Sequence, residues 1–156
     1  MGTPTKEQWA EIAERLDRLF GDVYLRCDGY LVHAALGRVG KNRLAITVYV
    51  NGTIRGAWMS GKEVAEEARR FWCRRSKSLL PAKRVRAVER DIGKRAAKKY
   101  GLRDKIAYYE PFWSRPLPFV RHVRKHNQDI EILDYRTYAA ELEAHKAQEA
   151  SHAAQP

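Results

Sequence analysis

Residues 30–52, YLVHAALGRVGKNRLAITVYVNG, decide the fold. Side chains alternate across a strand, so in RLAITVYV (43–50) Leu44, Ile46, Val48 and Val50 share one face. Arg43, Ala45, Thr47 and Tyr49 share the other. YLVHAAL (30–36) is a second apolar run, and Gly37 with Gly40-Lys41-Asn42 marks the turn between them. Asn51-Gly52 is the sequence of a type I′ hairpin turn and predicts a further strand over TIRGAWM (53–59). There Ile54 and Trp58 join the apolar face while Arg55 points away. Upstream, VYLRC (23–27) before Asp28-Gly29 adds a possible fourth strand. The pattern is an antiparallel meander of three or four strands.

Helices flank it. Thr5-x-x-Gln8 fits a capping box, Trp9, Ile12, Leu16, Leu19 and Phe20 recur at helical spacing, and Gly21 is placed to end the helix. Ser60-x-x-Glu63 is a second such box and predicts a helix over about 62–79, with Val64, Ala68, Phe71 and Trp72 inward. Pro81 separates it from KRVRAVERDIGKRAAKKYG (83–101). In helical projection Val85, Val88, Ile92 and Ala96 form a narrow apolar arc, and Lys83, Arg86, Arg90, Lys94 and Lys98 lie opposite. Gly93 weakens that helix by about 1 kcal/mol. Beyond Gly101 the pattern gives a strand (105–110), a Pro-constrained loop and a helix near 117–125. A short strand follows (129–133), expected to pair with KIAYY (105–109). The fold class is therefore α+β: an N-terminal helix, the meander, a basic helical hairpin and a short mixed C-terminal segment. One domain spans 1–136, and 137–156 is an Ala-rich acidic helix or disordered tail.

The net charge of +11 is concentrated. Residues 69–103 hold fourteen Lys/Arg against Glu89 and Asp91, while the remainder of the chain is close to neutral. Such asymmetry points to an anionic partner. With 44% hydrophobic and 31% charged residues, a folded chain is expected rather than wholesale disorder. Cys27 and Cys73 cannot make a disulfide framework and read as reduced thiols of a cytosolic protein. No signal peptide or run of 18 apolar residues is present, so no membrane association is expected.

The first candidate site is the basic ridge, with Arg69, Arg70, Arg74, Arg75 and Lys77 extending its charge onto the neighbouring helix. Cations fixed on one face bind phosphates and release condensed counterions. The competing readings are an acidic protein surface and a plain solvated face. The second candidate is the polar face of the sheet, through Arg38, Arg43, Thr47, Tyr49 and Arg55, unless the C-terminal region covers it or solvent bathes it. GAWMSGKE (56–63) matches Gly-x4-Gly-Lys, but Glu63 stands where a phosphate loop needs Ser or Thr, so it is set aside. His122 and His126, with Asp129 and Glu131 nearby, make a weak metal or nuclease-like candidate, and surface histidines are the favoured alternative. In YYEPFWSRPLPF (108–119), Tyr108, Tyr109, Phe112, Trp113 and Phe119 either stack on bases or clasp the core, the clasp being favoured. No Ser-His-acid or catalytic-cysteine arrangement can be assembled, and neither cofactor nor metal is expected.

The order meander-then-helix over roughly 30–75 resembles sheet-plus-helix DNA readers such as the plant ethylene-response-factor domains and the arm-binding domains of phage integrases. The resemblance implies a sheet face that enters a major groove. The plant family's Tyr-Arg-Gly and Trp-Leu-Gly triplets are missing here, so its base-reading chemistry is not carried over. YLRCDGYLVHAALGRVGKNRLAITVYVNG together with EEARRFWCRR resembles small accessory proteins carried by temperate bacteriophages. That resemblance implies a cytoplasmic factor of a bacterial host cell. The expected function is non-enzymatic binding of nucleic acid or a nucleoprotein complex. The alternative is an anti-CRISPR-like inhibitor that occupies an acidic host protein surface.

Overall fold

The computed structural model describes residues 2–59 and 64–154. The first helix, α1 (Lys6–Leu16), starts on the expected capping box: Thr5 Oγ1 accepts from the Gln8 N–H at 3.2 Å, and Gln8 Oε1 accepts from the Thr5 N–H at 2.8 Å. It ends at Leu16 rather than Gly21 and buries Trp9, Ile12 and Leu16. The strands β1 (Val23–Cys27), β2 (Tyr30–Gly40) and β3 (Arg43–Val50) form the meander, with Leu25 opposite Val32 and Ala34 opposite Val48. After them come α2 (Glu66–Phe71), β4 (Cys73–Ser78), α3 (Ala82–Ile92), α4 (Lys94–Lys99) and β5 (Lys105–Glu110). The chain continues through β6 (Phe112–Trp113), α5 (Pro116–His126), β7 (Ile130–Leu133) and α6 (Tyr135–Ala153).

Asn51 (φ 52°) and Gly52 (φ 76°) make the expected turn, with Val50 and Thr53 exchanging both backbone hydrogen bonds at 3.1 Å. The strand expected over 53–59 does not follow. The free edge of β3 is taken by β6, with Ile46 opposite Trp113, and the Val48 N–H donates to the Pro111 carbonyl. Residues Gly56–Trp58 instead make one 3-10 turn that sets Trp58 edge-on to Trp72 at 5.3 Å.

The sheet order is β6-β3-β2-β1-β7, and every adjacent pair is antiparallel. β7 pairs with β1, not with residues 105–109, because its apolar Ile130 and Leu133 complete the open edge of the meander. One sheet face packs on α1, α2 and α5 around Leu16, Leu25, Val32, Val48, Phe71, Trp72, Phe119 and Val123. The opposite face carries Tyr24, Leu31 and Leu133 under α6, which seats Tyr138 and Leu142 on them. The architecture is α+β, with the sheet sandwiched between helical layers.

The helix expected over 62–79 is corrected as well. Its Ser60–Glu63 capping box lies outside the described residues, as does the end of the Gly-x4-Gly-Lys lookalike. Within the described part only Glu66–Phe71 is helical. Phe71 and Trp72 are anchored in the core, where Trp72 Nε1 donates to the Val48 carbonyl at 3.2 Å, and the chain then turns extended into β4. β4 pairs with β5 as a separate two-stranded ribbon, Cys73 opposite Glu110 through Ser78 opposite Lys105. Between these strands the chain builds α3 and α4. They are two helices and not one rod, because Gly93 (φ 86°, ψ 156°) leaves the helical region. Of the expected apolar arc Val85 is buried, Val88 and Ala96 are half-buried and Ile92 is exposed; Ala97 is buried instead, and neither Val85 nor Ala97 belongs to the core of the main sheet. Residues 73–110 thus form an arm, a ribbon capped by a helix pair.

Candidate functional site

The arm holds thirteen Lys/Arg and four acids, a balance of +9 out of the chain's +11. Arg86 and Arg90 stand one turn apart on α3, and Lys94 and Lys98 one turn apart on α4. All four are exposed, and among the described residues none makes an ion pair. The break at Gly93 bends what would be a single ridge. Arg86, Arg90 and Lys94 line one hollow with Glu89 and Arg103, and Lys94 and Lys98 line the adjoining one with the same pair and Asp104. At the centre Arg103 makes a two-pronged contact with Glu89, Nη2 to Oε2 at 3.0 Å. Arg103 first, then Lys94 and Arg86, hold the Glu89 carboxyl below the usual carboxylate range. The bowl therefore keeps Glu89 ionised at its centre, paired with Arg103, while Arg86, Arg90, Lys94 and Lys98 around it make no ion pair among the described residues. Together they make a shallow, cation-lined hollow on the surface of the arm.

Three other cations expected at the site are spent within the protein. Arg69 forks onto Glu66 at 2.7 and 3.3 Å. Arg70 donates to Asp28 at 2.8 Å, to Glu66 at 2.7 Å and to Asn127 Oδ1 at 3.1 Å, and lies over the Tyr30 ring. Arg75 Nε donates to Glu110 at 2.7 Å. Arg74 and Lys83 stay exposed, without an ion pair among the described residues. Arg84, Arg95, Lys99 and Lys105 add further exposed cations to the arm.

The sheet-face candidates do not come together. Arg38 lies opposite Leu44 in register and so points to the other side from Arg43, and it folds over its own turn onto the Gly40 and Lys41 carbonyls. Arg43 is exposed at the start of β3, and Thr47 is half-buried opposite Ala35. Tyr49 is half-buried, its ring 5.4 Å from that of His33 within the aromatic layer that meets α6. Arg55 is not on a strand; it lies 3.9 Å from Glu149 of α6 and 5.8 Å from the Trp58 ring. The C-terminal region covers this face, as the alternative reading had it.

His122 and His126 stack at 4.0 Å. His122 Nε2 meets the Arg69 carbonyl at 2.8 Å, His126 Nδ1 meets the His122 carbonyl at 2.9 Å, and burial pushes the His122 pKa down. Among the described residues no group of three His, Cys, Asp or Glu is arranged to hold a metal ion. The aromatic segment is a clasp at its centre: Trp113 and Phe119 are buried, and Trp113 Nε1 donates to the Phe71 carbonyl at 3.0 Å. Cys27 is buried with its thiol pushed up to about 12 by desolvation, and Cys73 is half-buried.

Sequence reasoning found β5 but missed its partner strand β4. CRRSKS carries no apolar period, so its only signal was charge, and that charge ran on from the helix formers EEARR before it. Among the described residues no helix is long and apolar enough to cross a membrane. Compared with protein-family models, curated proteins and solved structures, the chain matches none of them.

Proposed function

We propose that this protein binds nucleic acid, alone or within a nucleoprotein complex, through the bowl formed by Arg86, Arg90, Lys94 and Lys98. The observation that carries the reading is the partition of the cations. Arg69, Arg70, Arg75 and Arg103 are satisfied by carboxylates, whereas these four face solvent without an ion pair among the described residues. A protein that only needed solubility has no physical reason to gather +9 on one arm. Phosphates seated in the bowl displace condensed counterions, which favours binding entropically and makes it fall steeply with salt. The role is a binding one rather than catalytic, and the sequence likeness alone suggests a phage-borne accessory or regulatory factor.

The test is fluorescence anisotropy with labelled DNA and RNA as salt rises from about 50 to about 200 mM. Log affinity is expected to fall linearly with log salt, and Arg90→Glu with Lys94→Glu to abolish binding while far-UV circular dichroism is unchanged. An affinity insensitive to salt, or untouched by the double variant, overturns the assignment. Co-purification of a host protein that survives nuclease treatment, with no binding of bare nucleic acid, replaces it with the acidic-protein, anti-CRISPR-like alternative.

A further inference from the structure

Register divides the β4–β5 ribbon into two unlike faces. Cys73, Arg75 and Lys77 point one way with Glu110, Tyr108 and Ile106; Arg74, Ser76 and Ser78 point the other way with Tyr109, Ala107 and Lys105. On the first face the cations are engaged within the arm: Arg75 with Glu110 at 2.7 Å, and Lys77 Nζ at 6.0 Å from the Tyr108 ring centre. On the second, Arg74 and Lys105 are exposed and make no ion pair among the described residues. Ser76, Ala107 and Ser78 are small and exposed, while Tyr109, opposite Arg74, is half-buried and packs against the core of the main sheet. The middle of the face, at Ser76, Ala107 and Ser78, is polar and short enough in its side chains for the backbone itself to approach a partner, with Arg74 and Lys105 at its two ends.

We infer that this face enters the major groove of B-form DNA while the α3–α4 bowl, at the far end of the ribbon, holds the flanking phosphates; the inference rests on the nucleic-acid reading above. Two antiparallel strands lie about 4.8 Å apart, and the B-form major groove, about 12 Å wide, admits such a ribbon. The deep, narrow major groove of A-form RNA does not admit it, and an unpaired strand offers no groove. Arg74 and Lys105 have the donors that guanine O6 and N7 accept, and the serine hydroxyls can serve either partner of a base pair. Arg75, turned away and paired with Glu110, and Lys77, turned away over the Tyr108 ring, leave the reading to one face only.

The experiment compares a short DNA duplex, the RNA duplex of the same sequence and the corresponding single strand, using the parent chain, Ala107→Trp and Arg74→Ala. The parent is expected to prefer duplex DNA over duplex RNA by at least about ten-fold. A Trp at position 107 fills the reading face, so duplex-DNA affinity falls by about ten-fold or more while RNA and single-strand affinity hold. Arg74→Ala, which removes no buried group, moves the preference in the same direction and covers the case in which the bulky variant fails to fold. Methylation of guanine N7 in the duplex is expected to interfere with binding. Equal affinity for both duplexes, a preference unmoved by Arg74→Ala, or interference confined to the minor groove overturns the ribbon inference and leaves the phosphate reading standing. Failure to bind any of the three overturns both.

Discussion

Arg70 Nη1 donates to Asp28 Oδ2 at 2.8 Å, and the same carboxylate accepts the backbone N–H groups of Gln128 at 3.0 Å and Asp129 at 2.8 Å. One guanidinium thereby ties α2 to the β1–β2 turn and, through Asn127, to the connection between α5 and β7. A residue that by composition belongs to a cationic surface is in fact a cross-link. Its side chain is only 21% exposed and that of Asp28 23%, so truncating one strands the other in a poorly hydrated place. Arg70→Ala is expected to lower stability by about 2 kcal/mol. For a chain of this size that is a fall in Tm of about 4–8 °C, read by thermal unfolding, with nucleic-acid affinity unchanged. A loss of affinity without a loss of stability would return Arg70 to the binding surface.

The same carboxylate predicts a pH dependence. The N–H groups of Asp129 and Gln128, and then Arg70, hold Asp28 below the usual carboxylate range. A carboxyl whose folded pKa is depressed stabilises the fold above its unfolded value, about 3.9, and that stability is lost as pH falls through the folded value. Asp28→Asn is therefore destabilising near neutral pH, and its deficit relative to the parent shrinks below about pH 4. Urea unfolding of both proteins at the two pH values measures the gap, and a gap of constant size would contradict the linkage.

The bowl makes an opposite prediction about a neighbouring acid. Glu89 is the anion at its centre, braced by Arg103. Removing its charge frees the Arg103 guanidinium and removes repulsion of incoming phosphate. Glu89→Gln should therefore bind nucleic acid more tightly, with the salt slope steeper by about one phosphate contact. Weaker binding would show that the Glu89–Arg103 contact holds the bowl in shape and that its mechanical part outweighs its charge.

The boundary of legibility follows from what a local pattern can carry. The strands at 23–27, 30–40 and 43–50 were readable because each is buried on one face more than the other, which imprints a period of two. Asn51-Gly52 was readable as a turn, but nothing local reveals that Phe112–Trp113 already occupies the strand edge beyond it. CRRSKS pairs with a distant segment, Cys73 with Glu110 through Ser78 with Lys105, and leaves its last three residues exposed, so no hydrophobic period marks it. The site suffers the same limit. Arg69, Arg70, Arg74 and Arg75 are equal in a charge count, yet all but Arg74 have carboxylate partners, at sequence separations of 3, 42 and 35. Free cations can be told from spent ones only once the chain is folded.

Gly93 decides whether the arm is a bowl or a rod. At φ 86° and ψ 156° it occupies backbone space that is nearly closed to L-residues, at a cost of about 1–3 kcal/mol. A Cβ built there meets nothing within 4 Å, so the cost of Gly93→Ala is wholly conformational. Alanine also favours helix by about 1 kcal/mol over glycine, and both terms push α3 and α4 toward one continuous helix. At 3.6 residues per turn, Arg86, Arg90, Lys94 and Lys98 would then follow one ridge that winds by about 40° per step along a single helix, instead of curving around Glu89. Val85 and Ala97 lie outside the core of the main sheet, so global unfolding should hardly move. The expected result is a gain in far-UV helicity with a several-fold loss of nucleic-acid affinity. If helicity rises while affinity holds, a single ridge of cations serves as well as a concave one, and the curvature imposed by Gly93 has no part in binding.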